Sequence, residues 1–141
     1  NRTILYLLMK KIILLIPMLV LFTSCSFRLT DTVWCNSMPG ELEGNKADVI
    51  NSVYFLRDGY ITFNTCVKKD STIILPQTVT AIGTYESKGN LKKGIQLDIE
   101  TTDSYGIINH NKGLVNKHGL FISESDTTAV VYFLVSNLKF K

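Results

Sequence analysis

Two histidines, His110 and His118, are the side chains best suited to bind a transition metal. A zinc site needs three or four ligands at characteristic spacings, and neither histidine has a cysteine or a carboxylate at such a spacing. Residues Asn109–Gly113 have the composition of a turn, which would expose His110 to solvent. The sequence therefore predicts solvent-exposed histidines and no metal site.

The carboxylates and serines give little support for catalysis. Asp98 and Glu100 lie two residues apart on one face of a predicted strand, where a solvated outer face explains the pair better than acid–base chemistry does. Ser123 and Ser125 lack the Gly-x-Ser-x-Gly turn of a nucleophilic serine, and no phosphate loop or dinucleotide motif occurs. We therefore expect a protein that is not an enzyme and that uses no cofactor.

The net charge of +3 comes from the N-terminal segment. Arg2, Lys10 and Lys11 precede Cys25 and no acidic residue does, whereas the chain from Cys25 onward has 12 basic and 12 acidic residues. A formally neutral domain lacks the basic surface that neutralises nucleic-acid phosphates. Nucleic acid is therefore not an expected partner.

The N-terminal segment has the parts of a secretory signal. Met9, Lys10 and Lys11 precede an apolar run of 11 residues, Ile12–Phe22, and small residues follow it. Eleven helical residues rise about 16 Å, too short for a hydrocarbon core of about 30 Å. We expect residues 1–24 to form a helical signal peptide that is removed, with residues 1–8 lying upstream of a true start at Met9.

The five residues Leu21–Cys25 resemble a bacterial lipobox, with Phe22 where that pattern prefers an aliphatic residue. The resemblance implies cleavage before Cys25, a thioether-linked diacylglycerol on its sulfur and a further acyl chain, such as palmitate, on its amine. Ser26 then implies transport to the outer membrane. The run after it lacks the acidic cluster of surface-exported lipoproteins, so we expect a periplasm-facing protein. The alternative is an ordinary signal peptide that happens to end near a cysteine.

Cys35 and Cys66 remain for disulfide chemistry once Cys25 carries lipid. An even pair in an oxidising compartment favours a bridge, and both side chains are predicted on the outer face of their strands. In a simple meander, however, the strand containing Val53–Leu56 separates them by about 9–10 Å, beyond disulfide reach. A bridge therefore requires that strand to stop short, and two reduced thiols are the alternative.

From Thr32 onward, short apolar runs rich in β-branched and aromatic residues alternate with turn residues. Apolar and polar residues alternate strictly in Ile95–Glu100, and Asp58-Gly59 separates the apolar runs Val53–Leu56 and Tyr60–Phe63, which predicts a hairpin. Met38–Asp48 is predicted to be a longer loop. Further strands are predicted at Thr32–Cys35, Ile73–Leu75, Thr78–Tyr85, Tyr105–Ile108, Leu114–Lys117, Gly119–Ser123 and Ala129–Val135. About eight short strands at this spacing predict an all-β fold, a sandwich or a barrel, and the mainly local turns favour an antiparallel up-and-down β-barrel of about eight strands.

Several motifs in this region resemble the small lipocalin-like (calycin-type) domains of Bacteroides-type lipoproteins. They are Thr32-Val33-Trp34, the hairpin Phe55–Phe63, Gly83-Thr84-Tyr85 and Gly89-Asn90. The resemblance implies a barrel over residues 32–141, behind a lipidated tether at residues 25–31, with Trp34 plugging one end. The family has glycine two residues before this tryptophan, where the present chain has Thr32. The resemblance also implies an internal cavity for a small apolar ligand, although such barrels are often filled by their own side chains.

These observations predict a non-enzymatic, lipid-anchored binding protein of the cell envelope, which binds a small apolar ligand or a protein partner. One alternative is a periplasmic inhibitor of a hydrolase such as lysozyme, acting through the loop Met38–Asp48. Another is a structural envelope component recruited through the final strand, Ala129–Val135, which is apolar on both faces. The ligand-binding residues are not predicted.

Overall fold

A computed structural model describes residues 27–137, together with Arg2. The predicted signal peptide (Arg2 apart), the start at Met9 and the lipidation site at Cys25 lie outside the described residues. Within the described part of the chain, no helix has the length and apolar character that crossing a membrane requires.

The fold is a closed antiparallel barrel in which each strand pairs with the next and the last pairs with the first. The prediction of an up-and-down barrel of about eight strands is confirmed. Its strands are β1 (Thr32–Leu42), β2 (Asn45–Phe55), β3 (Tyr60–Lys69), β4 (Thr72–Asn90), β5 (Gly94–Asp103), β6 (Ile108–Asn116), β7 (Gly119–Ser123) and β8 (Ala129–Asn137).

Adjacent strands run in opposite directions, so the loops fall into two sets at the two ends of the barrel. The described chain enters at Phe27 beside the loops 56–59, 91–93 and 117–118, and we call this the proximal end. The loops 43–44, 70–71, 104–107 and 124–128 form the distal end.

The hairpin predicted at Asp58-Gly59 is present. Residues Arg57–Gly59 form a short 3-10 turn, in which Asp58 and Gly59 have φ values of 60° and 76°. Three other predictions are wrong. Tyr105–Ile108 is not a strand, because residues 104–107 form the loop between β5 and β6, which begins at Ile108. Met38–Asp48 is not a loop, because β1 and β2 extend through it and only Glu43 and Gly44, with φ values of 51° and 81°, reverse the chain. These positive φ values suit a two-residue hairpin turn, which pairs the flanking residues as strands.

Asn109–Gly113, predicted as a turn, lies inside β6 and pairs with Leu97–Thr101 of β5. The segment is polar for two reasons, and neither is a chain reversal. One face of the strand is exposed to solvent, and Asn109 and Asn111 occupy inward-facing positions on the other face. Cross-strand pairing with the regular strand β5 therefore overrides the local turn preference of asparagine and glycine.

The core occupies the half of the barrel next to the proximal end. Directly opposed residues of an antiparallel pair share a face, so the pairs Trp34–Val53 and Thr32–Phe55 place all four side chains inside. The Phe55 and Tyr85 rings meet edge to face with centroids 5.0 Å apart. The buried apolar cluster consists of Leu29, Trp34, Val53, Phe55, Ile61, Ile95, Leu97, Ile99, Val115, Leu120, Ile122 and Tyr132.

Candidate functional site

Trp34, the predicted barrel-end plug, lies in the core near the proximal end and is 2% exposed. Its indole N–H donates to the hydroxyl of Thr32 at 2.9 Å, and that hydroxyl donates to the backbone carbonyl of Leu29 at 2.5 Å. A buried indole N–H needs such an acceptor. Thr32, which stands where the lipocalin-like pattern has glycine, thus orients the tryptophan and ties it to the segment that leads into β1.

Cys35 and Cys66 are both free and half-buried in the structure. Cys35 opposes Ser52 and contacts its hydroxyl at 3.2 Å, whereas Cys66 opposes Ile50. The strand β2 runs without interruption between them and does not stop short. Two strand spacings of about 4.8 Å each therefore separate the cysteines, a distance at which a disulfide does not form.

We expect both thiols to remain reduced in the mature protein. The protein taken from cells, unfolded and alkylated without reductant, should gain two alkyl groups located at Cys35 and Cys66 by peptide mass spectrometry. A reduced sample alkylated in parallel is the control and should gain the same two groups. Alkylation that appears only after reduction would instead establish a Cys35–Cys66 bridge.

The carboxylates considered for catalysis, Asp98 and Glu100, lie on the outer face of β5, whereas Ser123 ends β7 and Ser125 lies in the β7–β8 loop. His110 Nδ1 lies 3.5 Å from the carboxylate of Glu100, and Lys112 pairs with Asp98. All four side chains are exposed, so these pairs contribute little to stability. They line part of a shallow open pocket of about 330 Å³. His118 lies in the β6–β7 turn at the proximal end. Among the described residues, no group of three or more His, Cys, Asp or Glu residues could hold a metal ion.

A polar layer lies in the interior of the barrel, on the distal side of the apolar core. Asn36 and Asn51 oppose each other across β1 and β2, and Asn51 donates to the side-chain oxygen of Asn36 at 3.2 Å. Thr65 of β3 donates to the side-chain oxygen of Asn51 at 3.0 Å, while Asn36 donates to the carbonyl of Val131 at 3.3 Å. This chain of hydrogen bonds, the Asn–Thr network, crosses four strands and forms a polar layer above the apolar core.

Sequence reasoning did not single out the Asn–Thr network, although a signal for it exists. Asn36 lies two residues after Trp34, and Asn51 lies two residues before Val53, so each shares the inward parity of a core residue. An amide at an inward position of a barrel strand needs a partner. The identity of that partner depends on the register between strands, which the alternation of residues does not reveal.

The β1–β2 hairpin projects from the distal end. The strand β8 pairs with β1 only at Thr32–Cys35, so the described structure gives β1 a single neighbour, β2, from Ser37 to the hairpin turn. Pro39, which has no N–H to donate, lies on this free edge. An open pocket of about 920 Å³ lies beside the hairpin and the end of β3, which remain paired at Asp48–Lys68. It is lined by Pro39, Gly40, Glu41, Lys46, Ala47, Asp48, Lys68, Lys69 and Asp70.

Large apolar side chains are exposed at the distal end. Tyr105 is 88% exposed and Ile107 is 57% exposed, both in the β5–β6 loop. The complete distal set, which we call the distal apolar set, is Met38, Ile73, Ile74, Leu75, Tyr105, Ile107 and Ile108. These residues contribute little to the core, so their exposure needs an explanation other than folding.

One titratable group inside the barrel is perturbed. Burial raises the pKa of the Tyr132 phenol, and the negative charge of Glu124 raises it further. The phenol therefore stays neutral across the physiological range and does not serve as a base.

Comparison with protein-family models, with characterised proteins and with solved structures finds no match to this chain. The structure defines the class of protein as a closed eight-stranded antiparallel β-barrel with an apolar proximal core and a polar layer distal to it.

Proposed function

We propose that this chain is a non-enzymatic binding protein of the bacterial cell envelope, held by acyl chains on Cys25 at the periplasmic face of the outer membrane, and that its distal end binds a protein partner. The observation that carries this proposal is the distal apolar set. Its members come from β1, β4, β6 and the β5–β6 loop, and each is at least 40% exposed at the same end of the barrel.

A protein partner suits this surface because burial of apolar area drives association. Tyr105 and Ile107 belong to a short loop, in which Asp103 accepts the backbone N–H groups of both at 2.9 and 3.0 Å. The loop is therefore ordered before a partner binds, which lowers the entropy lost on association. The free edge of β1 adds unpaired backbone groups to which a partner strand can bind.

The barrel interior is less suited to a small apolar ligand than the distal end is to a protein partner. Core side chains fill the proximal half, so such a ligand would contact the Asn–Thr network in the distal half. An apolar molecule there would remove amides from water without offering hydrogen bonds, which is unfavourable. Native mass spectrometry of the purified lipoprotein tests this alternative, since a co-purified small molecule would favour an internal ligand.

Site-specific photo-crosslinking in cells tests the distal end directly. A photoreactive phenylalanine analogue replaces Ile107, which is 57% exposed at the distal end, or Tyr60, which is 53% exposed at the proximal start of β3. We expect a discrete crosslinked protein product from position 107 and none from position 60. Equal products from positions 107 and 60 would contradict a distal partner site, as would the absence of a product from both position 107 and position 105.

The projecting hairpin favours a second candidate, an inhibitor of a cell-wall hydrolase. Inhibitors of this class insert a protruding element into the cleft of the enzyme, and the β1–β2 hairpin is such an element, with Glu43 and Gly44 at its tip. An assay of muramidase activity with micromolar lipoprotein separates the candidates. Inhibition that is lost when the hairpin tip is replaced supports the inhibitor, whereas unchanged activity at all concentrations counts against it.

A further inference from the structure

The two ends of the barrel differ in charge. The charges counted are those of the described residues in the loops and in the three strand positions next to each loop. At the proximal end there are six basic residues, Arg28, Arg57, Lys88, Lys92, Lys93 and Lys117, against two acidic residues, Asp31 and Asp58. The distal end has three basic residues, Lys46, Lys68 and Lys69, against six acidic residues, Glu41, Glu43, Asp70, Asp103, Glu124 and Asp126. The formally neutral domain is thus polarised along the barrel axis.

Arg57 pairs with Asp31 at the proximal end, whereas three of its lysines are available to an external partner. Lys92 and Lys93 lie in the β4–β5 turn and Lys117 lies in the β6–β7 turn, and all three are exposed. None of them forms an ion pair with a carboxylate among residues 27–137. Their charges therefore remain uncompensated on one face of the molecule.

Apolar side chains accompany these lysines. A groove of about 660 Å³ is lined by Phe27, Leu91 and Leu114 together with Lys92, Lys93 and Lys117. It adjoins a second groove, of about 320 Å³, in which Phe27 and Leu91 meet Phe133 and Leu134 of β8. Phe133 is 60% exposed. Apolar side chains rimmed by lysines are the composition of a surface that lies in the interface of a lipid bilayer.

The position of the tether makes a bilayer the expected occupant. Phe27, which lines both grooves, is only two residues from Cys25, and two residues span at most about 7 Å. Acyl chains attached at Cys25 would enter the membrane within that distance of the grooves. The grooves and their lysines would then face the leaflet that holds the anchor.

We propose that the proximal end of the barrel is a membrane-docking surface that binds anionic phospholipid headgroups through Lys92, Lys93 and Lys117 and inserts apolar side chains between them. This inference rests on the lipid anchor of the proposed function, but not on the distal partner. Docking in this way sets the barrel axis across the leaflet plane and turns the acidic distal end, with its apolar set, away from the negatively charged surface.

Lysine footprinting on vesicles tests the proposal with the acylated, full-length mature lipoprotein. The protein is incorporated into vesicles of phosphatidylcholine alone or of phosphatidylcholine with phosphatidylglycerol, and a membrane-impermeant amine reagent is added. Labelling is quantified at each lysine by mass spectrometry, and the acyl chains on Cys25 are verified by intact mass on the same sample. Lys46, Lys68 and Lys69 at the distal end are the internal controls.

We expect labelling of Lys92, Lys93 and Lys117 to fall by roughly fivefold on the anionic vesicles, because one basic residue near an anionic leaflet changes its binding equilibrium by about that factor. Labelling of the distal lysines should stay unchanged, and high salt should remove the difference. The triple variant Lys92→Glu, Lys93→Glu, Lys117→Glu should lose the lipid dependence of labelling at Lys88, whereas the matched variant Lys46→Glu, Lys68→Glu, Lys69→Glu should keep it.

Each other outcome has a distinct meaning. Equal and high labelling of the proximal lysines on both vesicles, with the acyl chains present, overturns membrane docking and leaves the anchor intact. Equal and low labelling on both vesicles overturns the binding of anionic headgroups, because protection of the lysines would then not depend on the charge of the lipid. Absence of acyl chains overturns the anchor and this inference together, while the distal partner is tested separately by crosslinking.

Discussion

Replacing Trp34 by alanine should lower the free energy of unfolding by about 3–5 kcal/mol, as expected for removal of a buried tryptophan. Trp34 is 2% exposed and contacts the core from β1, so the truncated side chain would leave a cavity that the closed barrel cannot collapse to fill. Small domains have a total stability of about 5–15 kcal/mol. The measurement is urea denaturation followed by circular dichroism, because Trp34 is the only tryptophan.

The control for this variant is Tyr105→Ala, which removes an aromatic ring that is 88% exposed and should change stability by no more than about 0.5 kcal/mol.

Changes at Thr32 test whether the hydrogen bond to the indole contributes to stability. Thr32→Ser keeps the hydroxyl, whereas Thr32→Val leaves the buried indole N–H without an acceptor, at a cost of about 1–3 kcal/mol. Equal stability of these two variants would show that shape alone positions Trp34.

Gly83→Ala should destabilise the barrel by at least about 1–3 kcal/mol, and by more if the backbone cannot shift. A Cβ atom on Gly83 would lie 1.8 Å from the carbonyl oxygen of Glu100 and 2.7 Å from Cα of Thr101. Both are backbone atoms of β5, so no side-chain rotation relieves the overlap, and β4 must move away from β5 where Gly83 pairs with Thr101. Thermal unfolding of the variant should begin well below that of the unchanged protein.

Gly106→Ala separates this clash from the general effect of losing a glycine. Nothing lies within 4 Å of a Cβ on Gly106, and only its positive φ of 79° opposes the substitution. That conformation costs a non-glycine residue about 1–2 kcal/mol. If Gly83→Ala proves no more destabilising than Gly106→Ala, close contact between β4 and β5 is not what requires glycine at position 83.

The strands that alternate most regularly were predictable from local sequence alone. Ile95–Glu100 has one apolar and one solvated face, and its apolar residues are buried as expected. Asp58-Gly59 marked its hairpin because few other residues adopt positive φ. Met38–Asp48 and Asn109–Gly113 were mispredicted for the opposite reason. Their proline, glycine and asparagine residues favour turns locally. Pairing of Met38–Gly40 with Ala47–Val49, and of Asn109–Gly113 with β5, holds them extended instead.

The alternation of residues along a strand indicates which side chains face the core, but not which polar atoms bond to one another. Resemblance to lipocalin-like domains placed Trp34 in one end of the barrel, yet the acceptor for its indole is Thr32 on the same strand, a residue that the resemblance identified only as a departure. The Asn–Thr network likewise needs four strands, β8, β1, β2 and β3, in one register before its polar atoms meet. The lone strands contain the residues, but only the closed sheet brings their polar atoms within hydrogen-bond distance.

The sequence by itself determined the all-β class and the even balance of charge after Cys25, because alternation and composition are properties of the chain and do not depend on which strands become neighbours. Tertiary structure alone decided which end each loop reaches. Since antiparallel strands reverse direction at every turn, residues far apart in sequence, such as Arg28, Lys92 and Lys117, gather at one end while Glu43, Asp103 and Glu124 gather at the other. A chain with no net charge thereby acquires a basic end beside its tether and an acidic, apolar-rimmed end opposite.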